Sequence, residues 1–122
     1  MSAFAQIESI VPRQVWPGVV GRVVEGQRLT VAVVELAPGA LVPAHEHDNE
    51  QVGFVIEGSI TATVGDETAE LRAGGTYCIP AGCRHELRAG PQGTVVADVF
   101  APPRADWAAL ERLSPEAPRW PH

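Results

Sequence analysis

Short apolar runs broken by turn residues dominate the chain, and they predict strands in preference to helices. Residues 19–24 and 29–36 are the first two runs, the second with alternating character. Residues 51–56 and 59–64 form the next pair, and Glu57-Gly58 between them predicts a tight hairpin connection. Gly65-Asp66 turns the chain into 67–71, Gly74-Gly75 precedes 76–79, and 95–100 is the last strong strand. With 12 glycines and 11 prolines as punctuation, this spacing predicts an all-β barrel or sandwich. One short helix is predicted after it. Pro102-Pro103 halts the strand, Asp106 can cap, Trp107, Leu110 and Leu113 recur at helical spacing, and Ser114-Pro115 ends the run. Residues 1–18 then read as an N-terminal extension, 19–100 as the barrel, and 101–122 as a C-terminal helix and tail packed on it. The proline-rich tail reads as a loosely ordered strap.

Composition narrows the function. A chain of 122 residues suits one domain, and 45% hydrophobic with 20% charged residues is enough apolar material for a core. The net charge of −6, with no basic patch, argues against a nucleic-acid partner. No apolar run is long enough to span a membrane, and Met1 to Ile10 lacks the basic and apolar pattern of a secretory signal. A cytoplasmic location is therefore expected, with Cys78 and Cys83 reduced. One well-placed arginine can still recognise a small anion despite the negative balance.

Three of the four histidines are gathered at His45, His47 and His85. His45 and His47 share a face if their segment is extended, and Gln51 keeps that parity if the register continues through residues 48–50. His85 arrives on another strand. Three imidazoles and one amide oxygen inside a barrel suit one divalent transition metal, with Ni, Zn, Mn, Fe and Cu all compatible. Glu50 is the rival fourth ligand, of the wrong parity unless a bulge intervenes. His122 reads as a surface residue.

The segment from Gly39 to Gly58, with His45, His47 and Gln51 at fixed spacing, resembles the first cupin motif, and Gly74 to His85 resembles the second. The resemblance covers about 19–100. It implies a double-stranded β-helix, the jelly-roll cupin barrel, commonly a homodimer. Gln51 stands where most cupins place a glutamate, which leaves the ligand set neutral and a bound cation at its full charge. That favours polarising oxygen ligands over oxygen activation.

Further along, Asp98 and Phe100 share a parity and Arg104 follows just past the strand end. Together they suit an anionic, sugar-like ligand: Arg104 to pair with a carboxylate at two points, Asp98 to move a proton, Phe100 to exclude water. The plainer reading has Arg104 pinning the C-terminal helix through Asp106 or Glu111, and Phe100 as simple core. With the histidine motif, this ending resembles the small cupins of pectin and alginate breakdown that linearise unsaturated uronates. That resemblance implies a metal-dependent, non-redox ring opening or isomerisation with Asp98, Phe100 and Arg104 catalytic and a small anionic substrate. The alternatives are a metal-dependent cupin dioxygenase and a non-catalytic small-molecule-binding cupin. Tyr77 and Phe54 read as barrel packing, and Trp16 and Trp120 as cover near the termini or at a dimer contact.

Overall fold

The computed structural model describes residues 2–122. Eight strands run in the described residues: β1 (Arg13–Trp16), β2 (Val19–Glu25), β3 (Thr30–Leu36), β4 (Leu41–His45), β5 (Glu50–Val64), β6 (Glu67–Arg72), β7 (Thr76–Ile79) and β8 (His85–Ala101). All pair antiparallel, in the order β1-β2-β3-β8-β5-β6, with β4 on β8 and β7 on β5. Val, Ile and Leu alternate inward along these strands, as burial of one sheet face requires. Val19, Leu36, Val55, Ile60, Ile79, Val96 and Phe100 are among the most deeply buried residues of the core.

Two long strands shape the barrel. The first part of β8 (residues 85–89) pairs with residues 60–64 of β5, whereas residues 94–101 pair with residues 50–58 of β5, and residues 94–100 also with β3. One strand therefore serves both halves, and both of its ends turn toward the same interior.

This continuity corrects the hairpin expected at Glu57-Gly58. Residues 50–64 form one strand, bent where the register with β8 shifts at Val55/Glu57 and Gly58/Ile60. Gly58 takes φ +79, and a Cβ there would lie 2.1 Å from the carbonyl oxygen of Gly93, so only glycine lets the two bent strands cross. A glycine suited to a tight turn is equally suited to a bulge, and the sequence pattern does not separate them.

The expected C-terminal helix is likewise corrected to a 3₁₀ turn, Ala105–Ala109, preceded by Arg104 without a side-chain cap. Asp106 is engaged by Arg104 and does not cap. Beyond Leu110 the backbone bonds to the strand side of the N-terminus: Gln14 N–H donates to Glu111 O and Leu113 N–H to Pro12 O, both at 2.9 Å, and Arg13 bridges Arg112. Sheet pairing takes the residues that a longer helix would need. Strands β1, β4 and the first half of β8 were not among the predicted runs.

The tail is fastened by charged groups. Arg22 forms a buried pair with Glu35 at 2.8 Å and donates to Glu116 O, and Arg119 donates to the carbonyls of Leu36 and Gln92. His122 sits 2.6 Å from a Glu57 oxygen. The described residues contain no helix long and apolar enough to cross a membrane.

Candidate metal centre and its cavity

His45 closes β4 and lies directly across from His85, the first residue of β8. His47 sits in the loop between β4 and β5, not on a strand, and Gln51 is the second residue of β5. The extended register expected through residues 48–50 is thus interrupted. Gln51 still faces inward, 4% exposed, because β5 restarts with it on the core face, while Glu50 is exposed. The ring centroids of His45, His47 and His85 are 4.3–5.4 Å apart, and one ring nitrogen from each lies within 4.8 Å of the others.

The tautomers follow from the backbone. His45 Nδ1 faces Pro43 O at 2.7 Å, His47 Nδ1 faces Asn49 O at 3.0 Å, and His85 Nδ1 faces Cys83 O at 2.9 Å. A carbonyl can only accept, so each Nδ1 carries a proton, and in the neutral ring the lone pair lies on Nε2. His85 Nε2 is buried with no hydrogen-bond partner, and His47 Nε2 faces Gln51 Oε1 at 3.1 Å. Two lone-pair atoms turned toward each other, beside an orphaned third, form a donor set that a cation satisfies and a proton network does not. Burial, and after it the neighbouring His45, His47 and Arg104 charges, pushes His85 down to about 4; burial and Arg104 also lower His47. These two rings stay neutral at pH 7, as metal ligands must. The residues fit a divalent metal, with His45, His47, His85 and Gln51 as the groups that would hold it.

His45 and His85 line a cavity of about 230 Å³, together with Gln51, Asp98, Phe100 and Arg104 and apolar residues that include Trp16, Val34, Leu87 and Trp107. That is smaller than the ~300 Å³ at which drug-sized sites begin, so the cavity suits a ligand of monosaccharide size. Asp98 is 4% exposed and accepts from the Tyr77 hydroxyl at 2.5 Å. Burial pushes its carboxyl up to about 6, opposed by hydrogen bonding from Tyr77 and Gln51 and by the charge of Arg104. Phe100 is fully buried, its ring 5.9 Å from His47 and 5.2 Å from Trp107.

Arg104 lies over the rings of Phe100 and Trp107, with its guanidinium carbon 4.9 and 4.8 Å from their centroids. Its Nε and Nη2 donate to the two oxygens of Asp106 at 3.0 and 2.9 Å. The two-point contact expected for a ligand carboxylate is thus occupied on this edge by Asp106, as the pinning alternative had it, and the end-on edge through Nη1 remains. Two cavity-lining residues, Trp16 and Trp107, and one residue behind the cavity wall, Tyr77, have roles that local spacing does not reveal. Trp16, expected as cover near the terminus or at a dimer contact, lies 5.9 Å from His45, and Trp107 lies in the 3₁₀ turn. For Tyr77 the available signal was its shared parity with the core residue Ile79.

A model of the cupin domain matches residues 32–100. The chain belongs to the cupin family. Among curated proteins, this cupin is 31% identical over 80 residues to the pectin degradation protein KdgF of Dickeya dadantii (strain 3937), covering 65% of this chain and 73% of that protein. Among solved structures, KdgF from Halomonas sp. superposes with TM-score 0.80 at 25% identity, covering 87% of this cupin and 98% of that chain. An RmlC-like cupin from Shewanella frigidimarina NCIMB 400 gives TM-score 0.81 at 24% identity, over 87% and 96%.

Proposed function

We propose that this cupin is a metal-dependent enzyme that linearises an unsaturated uronate, or a similar small anionic sugar derivative, without redox change. The observation that carries the reading is the meeting of two groups in one small cavity. Three clustered imidazoles, two of which line the cavity with Gln51, stand beside a buried carboxyl, Asp98, that titrates near 6. The relative named for pectin degradation supports the choice of substrate.

Opening such a ring breaks the bond between the anomeric carbon and the ring oxygen. The anomeric hydroxyl gives up its proton, and one proton is added to the ring carbon at the far end of the double bond. Atoms and charge balance with no oxidant. A bound divalent cation supplies Lewis acidity toward a ligand oxygen. The chain does the rest. Asp98 accepts the hydroxyl proton and returns one to carbon, a task for which a carboxyl near 6 is suited at neutral pH. Arg104, held by Asp106 and stacked on Phe100, offers its remaining edge to the uronate carboxylate. Phe100 and Trp107 keep bulk water from that wall.

The test is turnover by metal-depleted protein reloaded with Mn, Fe, Ni or Zn under argon and given an unsaturated uronate. Metal-dependent loss of the substrate's ultraviolet absorbance is expected, and Asp98→Asn abolishes it. Turnover only after oxygen is admitted would replace this reading with a dioxygenase.

A second copy of the chain is the proposed partner. Val24, Val52, Phe54 and Val99 stand 38–50% exposed on the outer face of neighbouring strands, with Val52 directly across from Val99. A cluster of large apolar side chains on one sheet face suits burial against another copy.

A further inference from the structure

Position 53 of β5 pairs with Tyr77 of β7 on one side and Asp98 of β8 on the other. Residues in one cross-strand row point to the same face, so three side chains would compete for that interior space. Gly53 contributes none. A Cβ there would lie 2.2 Å from Asp98 Oδ1 and 2.7 Å from the Tyr77 hydroxyl, so the two flanking side chains fill the volume that glycine vacates. Across this gap, over two strand spacings of about 4.8 Å each, the phenol reaches Asp98 and donates to Oδ1. Both residues are buried, at 7% and 4% exposure. Asp98 borders the cavity and Tyr77 does not.

A carboxyl has two oxygens, and rotation about its last bond is soft. Holding one oxygen fixes where the other points. We propose that Tyr77, acting through the gap at Gly53, is the positioning residue for Asp98: it anchors Oδ1 and thereby presents Oδ2 to the ligand. The proposal rests on the reading of Asp98 as the proton carrier. Proton transfer requires the two heavy atoms to approach within about 2.6–3.2 Å, and a carboxylate held by Gln51 alone, without the phenol, meets that distance only part of the time. Tyr77 itself touches no ligand.

Two measurements separate this proposal from the functional reading. In the first, Tyr77→Phe is compared with the wild type on an unsaturated uronate with the same metal. The expected result is a kcat lower by roughly 10²-fold, the scale of a 1 Å misplacement, with KM unchanged. A wild-type kcat in Tyr77→Phe, beside an inactive Asp98→Asn, overturns the positioning role and leaves the function standing. In the second, the crystal structure of Tyr77→Phe shows the Asp98 carboxylate rotated out of the Gly53 gap. A carboxylate that stays in place overturns the proposal, whatever the substrate proves to be. If Tyr77→Phe does not fold, the chain's single tyrosine allows uniform 3-fluorotyrosine labelling. The fluorine resonance then shifts between the wild type and Asp98→Ala, and an unmoved resonance refutes the contact.

Discussion

Asp98→Asn is expected to stabilise the metal-free protein increasingly as pH rises. In the folded chain the Asp98 carboxyl titrates near 6, against 3.8 when exposed, and burial is the dominant cause. Between those values the unfolded chain has released the proton that the folded chain retains, so stability is lost as pH rises from 3.8 through about 6. Above and below that window the contribution is constant. The full displacement corresponds to ~3 kcal/mol, of which about 2 kcal/mol falls between pH 4 and 7. Asparagine keeps the shape and an acceptor for Tyr77, and it does not titrate. The lowered His47 and His85 act in the opposite sense, weakening the fold as pH falls, but they do so in both proteins and cancel in the comparison. The assay is urea unfolding of both proteins with chelator present, at intervals from pH 4 to 7. The stability difference should move by about 2 kcal/mol in favour of the variant. A difference that stays constant with pH would refute the desolvation argument, and with it the matching of Asp98 to a proton-transfer task.

Three further outcomes are expected. His85→Ala should lower affinity for Zn or Ni by more than the ~10–100-fold typical of lost outer-sphere partners, read by competition with a chromogenic chelator. Gly58→Ala should cost more than ~1 kcal/mol in thermal or urea unfolding, since it meets a left-handed φ of +79 and the Gly93 carbonyl oxygen together. Val52→Asp combined with Phe54→Asp should halve the mass seen by sedimentation while metal affinity holds; an unchanged mass refutes the apolar face as the contact between copies.

The features legible in the sequence are those set by local spacing. His45, His47 and His85 were recognisable because glycine and proline frame them, and Asp98 with Phe100 because alternation along one strand survives in the fold. Gln51 is legible from the cupin-motif spacing, whereas the parity argument fails: residues 48 and 49 lie outside any strand, and the inward placement comes from the fresh start of β5 at Glu50. Tyr77 reads as packing in the sequence, and its contact with Asp98 is not legible there because it depends on three strands brought into register at residues 53, 77 and 98, with a glycine between them. The C-terminal periodicity of Trp107, Leu110 and Leu113 is real, but Leu113 answers to Pro12, a partner about a hundred residues away, and long-range pairing outweighs local propensity there.

Every imidazole in the cluster is oriented by a main-chain carbonyl two residues away. The ion-holding apparatus is therefore written into the path of the backbone, while the ligand-facing wall is written in replaceable side chains. Such a barrel can change that wall without moving the carbonyls that orient the imidazoles, although a change at Arg104 also removes a charge that lowers His47 and His85. Gln51 is the hinge between the two inheritances, its oxygen turned to the histidines and its amide acting on Asp98. A lineage that changed the acid at position 98 would have to renegotiate the fourth ligand as well.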